Sequence, residues 1–489
     1  MRRAPTTPPS LNDKRPACRE RHTGFGDIET AHKCSLRCVP CCPVRSPAIS
    51  RRGCRRKSAQ EAPFVREENP HRGVDWRHLG PILSPFGEVR DAQLDAAGLI
   101  GAFALSMEKR VSQGETVSLF WSELARDLSP YVPGEQPQIP GLVKLNTNES
   151  PFGPSPKAIE AIRAAASDSL RLYPDPQSSR LREALAGYHK VAPDQVFVGN
   201  GSDEVLAHAF AALLKQPKPV RFPDVTYSFY PVYCRLLGIA HVMVPLDAEM
   251  GVRVNDYLGH AGPVIIANPN APTGIALPRT EIARLAGART EAVVVIDEAY
   301  VDFGGDTAIP LIHDYPNLLV VQTMSKSRAL AGLRVGYAVG DAALVEALTR
   351  VKDSFNSYPL GRPAQAGAIA SLADEAHFQQ ARSAVMRNRA DLTCALNRLG
   401  LDVLPSSANF VFARHPRHSG QALAAALRER AVLVRHFAAP RISDFLRITI
   451  GSQSDLGRLT QALSEILAES RLEPMLVGKS LADPPSPGR

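Results

Sequence analysis

From Pro130 onward the chain alternates between two textures. Short apolar runs rich in β-branched residues occur at 195–198, 220–222, 264–267, 292–296 and 318–321. Between them lie longer stretches with apolar positions at helical spacing, such as 203–214 and 279–286. Short runs of that composition predict buried strands, and their alternation with helices predicts an α/β domain with a largely parallel sheet. Residues 375–399 read as one long helix. Strands at 403–404, 410–413, 432–434 and 446–450, with helices at 420–428 and 455–469, then predict a smaller α+β domain. The stretch from Pro474 to Arg489 is rich in Pro, Gly and Ser and reads as a flexible tail. Residues 1 to about 115 sustain neither a twofold nor a 3.6-residue period. They are rich in Arg, Pro, Cys and Ser, the texture of a disordered extension, or of translation begun upstream of the true start. The next methionine is Met107.

Composition sharpens this division. The 489 residues carry a formal charge of +8, but residues 1–60 alone hold fourteen Lys/Arg against four Asp/Glu, or +10, leaving −2 for the rest. The basic balance belongs to the extension, so it argues for no nucleic-acid partner of the body. Six of the eight cysteines (18, 34, 38, 41, 42 and 54) also lie there. No second ligand pair follows them at regular spacing, so no metal is expected. Cys234 and Cys394 are scattered in the body, which fits a reducing cytoplasm. No apolar run approaches the roughly 20 residues that span a membrane. The longest, 96–107, is too short and holds two glycines.

Ligands of open α/β sheets sit beyond the carboxyl ends of the strands, and several predicted strands here end in polar residues. G-N-G-S-D-E (199–204) opens a helix; its glycines leave backbone N–H groups exposed, a cradle for phosphate. A capped helix with Ser202 or Asp203 at its N-cap would read the same way. N-P-N-A-P-T-G (268–274) is a rigid turn carrying amides. I-D-E-A-Y (296–300) places Asp297 at the end of an apolar run, where a carboxylate needs a cation, a proton donor or a salt bridge. The next strand runs into Ser325 and Lys326, with Arg334 eight residues beyond the lysine. A lone lysine is most often a surface residue. Here the cradle, a second anion site (Ser325, Arg334), a poorly solvated carboxylate and a strand-end lysine recur at successive strand ends. A cofactor with a phosphate, a basic ring nitrogen and an aldehyde uses all four: pyridoxal 5′-phosphate. In this reading Lys326 bonds the aldehyde and Asp297 keeps the ring nitrogen protonated.

At these residues the chain resembles the fold-type I pyridoxal-phosphate aminotransferases, most closely the histidinol-phosphate aminotransferases. The resemblance runs from about Leu128 to Leu467. It is carried by L-S-P-Y (128–131), L-N-T-N-E-S-P-F-G (145–153), Y-P-D-P (173–176), G-N-G-S-D-E, T-Y-S-F-Y (226–230), P-T-G (272–274), D-E-A-Y, S-K followed by G-L-R-V-G, and L-R-I-T-I-G (446–451). It implies a large domain with a mostly parallel seven-stranded sheet between helices, plus a smaller α+β C-terminal domain. The segments would be an extension (1–115), an N-terminal arm (116–150), the large domain (151–374), the long helix and small domain (375–470) and a tail (471–489). It also implies that Tyr227 stacks on the cofactor ring and that Tyr300 bonds the ring hydroxyl. Tyr173 would reach the phosphate of a neighbouring subunit's cofactor, which implies a homodimer. Ser202, Asp203, Ser325 and Arg334 would surround the phosphate. Arg447 would read the substrate anion, Tyr131 would touch substrate phosphate, and Asn409 and Arg435 are further substrate candidates that also read as ordinary polar residues. The family usually has a second asparagine where this chain has Ala271, so Asn270 could take over its bond to the ring hydroxyl, or Tyr300 could act alone. The implied reaction exchanges an amino group between histidinol phosphate and 2-oxoglutarate, giving imidazole-acetol phosphate and glutamate. An aromatic amino-acid aminotransferase and a phosphothreonine-type decarboxylase share these motifs. A DNA-binding regulator with an aminotransferase-like domain would need a helix-turn-helix, and residues 1–115 carry no such pattern.

Overall fold

The computed structural model describes residues 118–477, with side chains to Glu469. The basic, Cys/Pro-rich extension lies outside the described residues, and so does the expected tail beyond Val477; residues 471–477, expected in that tail, instead continue the last helix. After a single helical turn, Glu123–Asp127, strand β1 (Val143–Leu145) precedes helices α1 (Pro156–Ala165) and α2 (Ser179–His189). Strands β2 (Val196–Asn200), β3 (Val220–Pro223), β4 (His241–Val244), β5 (Val264–Ala267), β6 (Val294–Asp297), β7 (Leu318–Thr323) and β8 (Val335–Gly340) follow. They are interleaved with α3 (Gly201–Ala209), α4 (Tyr230–Leu237) and α5 (Arg279–Gly287).

These seven strands form one sheet in the order β2-β8-β7-β6-β5-β3-β4. All pairs are parallel except those made by β8, which runs antiparallel to both neighbours. The central strands are buried along their whole length, as parallel strands covered on both faces must be. Their side chains alternate between two cores. Val264, Ile266, Val294, Ile296, Leu318 and Val320 pack into one. Ile265, Ala267, Val295, Leu319 and Val321 pack into the other. That is the twofold period of a strand.

Helices α6 (Ala342–Phe355) and α7 (Arg362–Leu372) lead to the long α8 (Glu375–Arg398). The second sheet holds β9 (Asp402–Val403), β10 (Phe410–Arg414), β11 (Val432–His436) and β12 (Phe445–Thr449), backed by α9 (Gly420–Glu429) and α10 (Gln453–Val477). Its order is β1-β11-β12-β10-β9. Strand β1, within the segment assigned from sequence to a separate arm, pairs in parallel with β11 through Val143–Val432 and Leu145–Val434. The small domain is thus built from two distant pieces of chain. Residues 146–148 leave it at the point where it meets the carboxyl ends of the large sheet.

Candidate active site

A cavity opens at that junction. It is lined from the large domain by Ser202, Asp203, Tyr227, Asp297, Tyr300, Ser325, Lys326 and Arg334, and from the arm and small domain by Tyr131, Asn146, Thr147, Asn148, Arg435 and Arg447. Four cationic side chains therefore face two carboxylates, so the site attracts anions.

The cradle is built by close backbone approach. The register sets Gly336 of β8 beside Gly199 on one side and Thr323 on the other. A Cβ on Gly336 would collide with the backbone of Gly201 and Ser202. Gly201 has φ +78°, and a Cβ there would run into the guanidinium of Arg334. Helix α3 begins at Gly201, so its first N–H groups point past these glycines. Neither Ser202 nor Asp203 caps this helix; Asn200 holds the N-cap position, without a side-chain cap bond. Asp203 instead accepts from Tyr227 Oη (2.8 Å) and from Arg334 (2.8 Å). Arg334 reaches it from a left-handed backbone, φ 55°, directly after a 3₁₀ turn, Ala331–Leu333. Ser325 accepts a bond from the Thr323 hydroxyl at 3.0 Å.

Asp297 ends β6 and is 5% exposed. It accepts from Tyr230 Oη (2.9 Å) and from the Ala299 N–H (3.3 Å). Burial pushes its carboxyl up to about 6 against these two bonds, with Asp203 adding to the rise. No cation is bonded to it among the described residues. Lys326 Nζ donates to the Thr147 carbonyl at 3.3 Å. Burial, reinforced by Arg447, pulls its amine down to about 8, so a sizeable fraction is neutral near physiological pH. Tyr300 packs edge-on to Phe410, with ring centroids 5.1 Å apart, and accepts from Asn148 Nδ2 at 3.1 Å. Burial raises its phenol, offset in part by Arg447 and by the Asn148 bond.

At the small-domain end, Arg447 of β12 donates through Nη2 to the Asn146 carbonyl at 2.9 Å, while its buried Nε has no partner. Burial lowers its pKa, yet a guanidinium remains charged at neutral pH. Arg435 of β11 pairs in register with Arg447 and donates to the Val132 carbonyl at 3.4 Å. Tyr131 packs against Phe229, with ring centroids 4.8 Å apart and the planes tilted by 34°, which anchors the arm against the large domain.

Three sequence candidates lie outside the cavity lining. Asn270 is buried with its amide committed: Nδ2 donates to the Val225 carbonyl and to Thr273, and Oδ1 accepts from Thr226. These bonds shape the turn, whose Asn268–Pro269 and Ala271–Pro272 peptides are both cis. They use both protons of the amide, so no N–H is left to donate to a ligand, and it is Ala271 that faces the cavity. Asn409 is fully buried, donates to the Asn148 carbonyl at 3.0 Å and leaves its own Oδ1 unpaired. Tyr173 is 77% exposed and stacks on Tyr358 at 4.7 Å. Sequence reasoning singled out the stretch 145–153 but gave no role to Asn146, Thr147 or Asn148, and it passed over Tyr230. The T-Y-S-F-Y run held Tyr230 beside Tyr227, but the two diverge: Tyr227 precedes α4 and reaches Asp203, whereas Tyr230 opens α4 and reaches Asp297.

The aminotransferase class I and II family pattern matches residues 140–463, which contain the cradle, Asp297, Lys326, Arg334 and Arg447. The chain belongs to this family. Among known aminotransferases it is 62% identical to histidinol-phosphate aminotransferase 2 of Thiobacillus denitrificans over 72% of this chain and 99% of the relative. It is 62% identical to histidinol-phosphate aminotransferase 2 of Rhizobium meliloti over 72% of this chain and all of that protein. Its fold matches the solved histidinol-phosphate aminotransferase of Sinorhizobium meliloti, in complex with pyridoxal 5′-phosphate. That match has a TM-score of 0.65 and 25% identity, over 73% of this chain and 99% of the other. As in other aminotransferases, helices flank a seven-stranded, mostly parallel sheet. No helix among the described residues is long and apolar enough to cross a membrane.

Proposed function

We propose that the chain binds pyridoxal 5′-phosphate and exchanges an amino group between histidinol phosphate and 2-oxoglutarate, as a step of histidine biosynthesis. The observation that carries the reading is the pairing of two anion sites across one cavity, the glycine cradle with Arg334 at one end and Arg447 with Arg435 at the other. One end suits the cofactor phosphate. The other suits an anion on the substrate, and a guanidinium fork takes carboxylate and phosphate alike. A single site can thereby serve both glutamate and a phosphate monoester. The names of the relatives above support the choice of substrate.

The residues present fit the cofactor. The cradle is the shape a Cβ would fill at either Gly201 or Gly336. Asp297 is a buried carboxylate with no bonded cation among the described residues, and a protonated ring nitrogen supplies one. Ser202, Ser325 and Arg334 would hold the phosphate, Tyr227 the ring face and Tyr300 the ring hydroxyl. When bound, pyridoxal phosphate supplies a sink for the electron pair left at Cα when its proton is removed.

The chain's own part is binding, orientation and proton transfer. Arg447 has a charged fork with an unpaired Nε and fixes the substrate anion. Lys326, whose amine is held near the working pH, takes the proton from the substrate Cα and returns a proton later in the cycle. The buried walls exclude water that would otherwise compete for that proton. The exposed Tyr173–Tyr358 pair belongs, in this reading, to the face a second subunit covers, which makes the enzyme a homodimer. The thiols of Cys234 and Cys394 support a reducing, cytoplasmic setting. Half-reaction spectroscopy with histidinol phosphate and with glutamate tests the substrate pair, and sedimentation tests the dimer.

A further inference from the structure

The three residues between β1 and α1 that sequence reasoning left without a role touch three of the functional side chains. The Asn146 carbonyl takes Arg447, the Thr147 carbonyl takes Lys326, and the Asn148 side chain takes Tyr300. The first two contacts use backbone oxygens, which any residue provides. Only the third depends on the identity of the side chain.

Asn148 is 1% exposed and has φ 56°. Glycine enters that region most readily, with asparagine and aspartate next among other residues. Asparagine costs the backbone more than glycine would, so its amide needs a purpose. Every polar atom of the residue is bonded. Its N–H donates to Thr449 Oγ1 at 3.0 Å, and the same hydroxyl returns its proton to Asn148 Oδ1 at 3.1 Å. Its carbonyl accepts from Asn409 Nδ2 at 3.0 Å. With Oδ1 held by Thr449, Nδ2 is turned toward Tyr300 Oη at 3.1 Å. In that bond Tyr300 is the acceptor, and it is the one hydrogen bond at that phenol among the described residues. The phenolic proton is left to point into the cavity. Ala271 supplies no side-chain donor on the same wall.

We propose that Asn148 is a positioning residue that sets the direction of the Tyr300 phenol: by donating to its oxygen, it commits the phenolic proton to the 3-hydroxyl oxygen of a bound pyridoxal ring. Thr449 locks the amide and Asn409 the backbone carbonyl of the same residue, so strand β12 and the loop before β10 take part in aiming the phenol. The inference rests on the reading that Tyr300 faces the ring hydroxyl. Asn148→Asp keeps the size and the left-handed backbone but removes the donor. The carboxylate would instead draw the phenolic proton toward itself and away from the cavity.

The test uses cofactor-free protein and two probes without an aldehyde, so Lys326 takes no covalent part: pyridoxine 5′-phosphate and its 3-deoxy analogue. Asn148→Asp should weaken pyridoxine 5′-phosphate about tenfold, the scale of one buried hydrogen bond, with the 3-deoxy analogue changed less than about twofold. Tyr300→Phe should show the same selective loss, and the double variant should bind no more weakly than Tyr300→Phe alone. Asn148→Gly, which fits the backbone, replaces the aspartate variant if that one does not fold. Equal losses for both probes in Asn148→Asp, or none, would overturn the positioning role while a selective loss in Tyr300→Phe still upholds the cofactor reading. If Tyr300→Phe binds both probes like the wild type, the Tyr300 reading fails and the role of Asn148 fails with it.

Discussion

Asp297→Asn should make the cofactor-free protein more stable while disabling the enzyme. In the free cavity the carboxylate is buried, with two donors and no bonded cation among the described residues. Its pKa is raised from 3.8 to about 6. Between these values the folded state binds more protons than the unfolded state, so stability falls as pH rises through the interval. About two units at 1.36 kcal/mol each give roughly 3 kcal/mol of destabilisation, fully developed at pH 7. Asparagine escapes that penalty. It offers one acceptor where Tyr230 and Ala299 present two donors, which returns about 1 kcal/mol. The net expectation is a gain of about 2 kcal/mol at pH 7, shrinking to nothing by about pH 4.5. Urea unfolding of cofactor-free protein at both pH values, at fixed protein concentration, measures it. With pyridoxal phosphate added the order reverses, because only the carboxylate can pair with a protonated ring nitrogen. Turnover should fall by about a hundredfold or more. A variant less stable than wild type at pH 7, or a difference that does not change with pH, would refute the reasoning: Asp297 would then have a cation of its own.

Arg447→Ala should slow both half-reactions, on the order of 2–5 kcal/mol of transition-state stabilisation, measured by single-turnover kinetics with each substrate; if only glutamate suffers, Arg435 or Tyr131 reads the phosphate. Because the Lys326 amine is held near 8, covalent capture of pyridoxal phosphate by cofactor-free protein should rise with pH to a half-maximum near pH 8, whereas an ordinary lysine would place it near 10. Lys326→Ala should still take up the cofactor through its phosphate yet show no borohydride-trapped adduct and almost no turnover.

The central strands were legible because burial on both faces makes them continuous apolar runs: β3, β5 and β7 begin where the pattern places them. Strand β8 was not read as a strand. Its sequence V-G-Y-A-V-G carries two glycines, and Gly336 is there because the cradle backbone leaves no room for a side chain. A residue that weakens local strand preference was selected by a tertiary contact. Strand β4 has its first three residues partly or fully exposed and so lacks the apolar signature. The site divides in the same way. Lys326, Asp297 and Arg334 were legible because each sits at a strand end or at a marked spacing. Asn148 and Tyr230 act through partners more than 60 residues distant, Tyr300, Thr449 and Asp297. No local pattern encodes such pairings. Asn270 misled because its type suits ligand binding, while its amide is spent on the turn that carries it.

The most direct test of the central claim is the cofactor absorbance of the purified enzyme in single half-reactions. The protein loaded with pyridoxal phosphate is mixed in turn with histidinol phosphate, glutamate and phenylalanine, and carbon dioxide release is followed with O-phosphothreonine. The account predicts rapid conversion to the amino form of the cofactor by histidinol phosphate and by glutamate, restoration by 2-oxoglutarate, slower conversion by phenylalanine and no carbon dioxide. Conversion fastest with phenylalanine and insensitive to histidinol phosphate, or release of carbon dioxide, would contradict it.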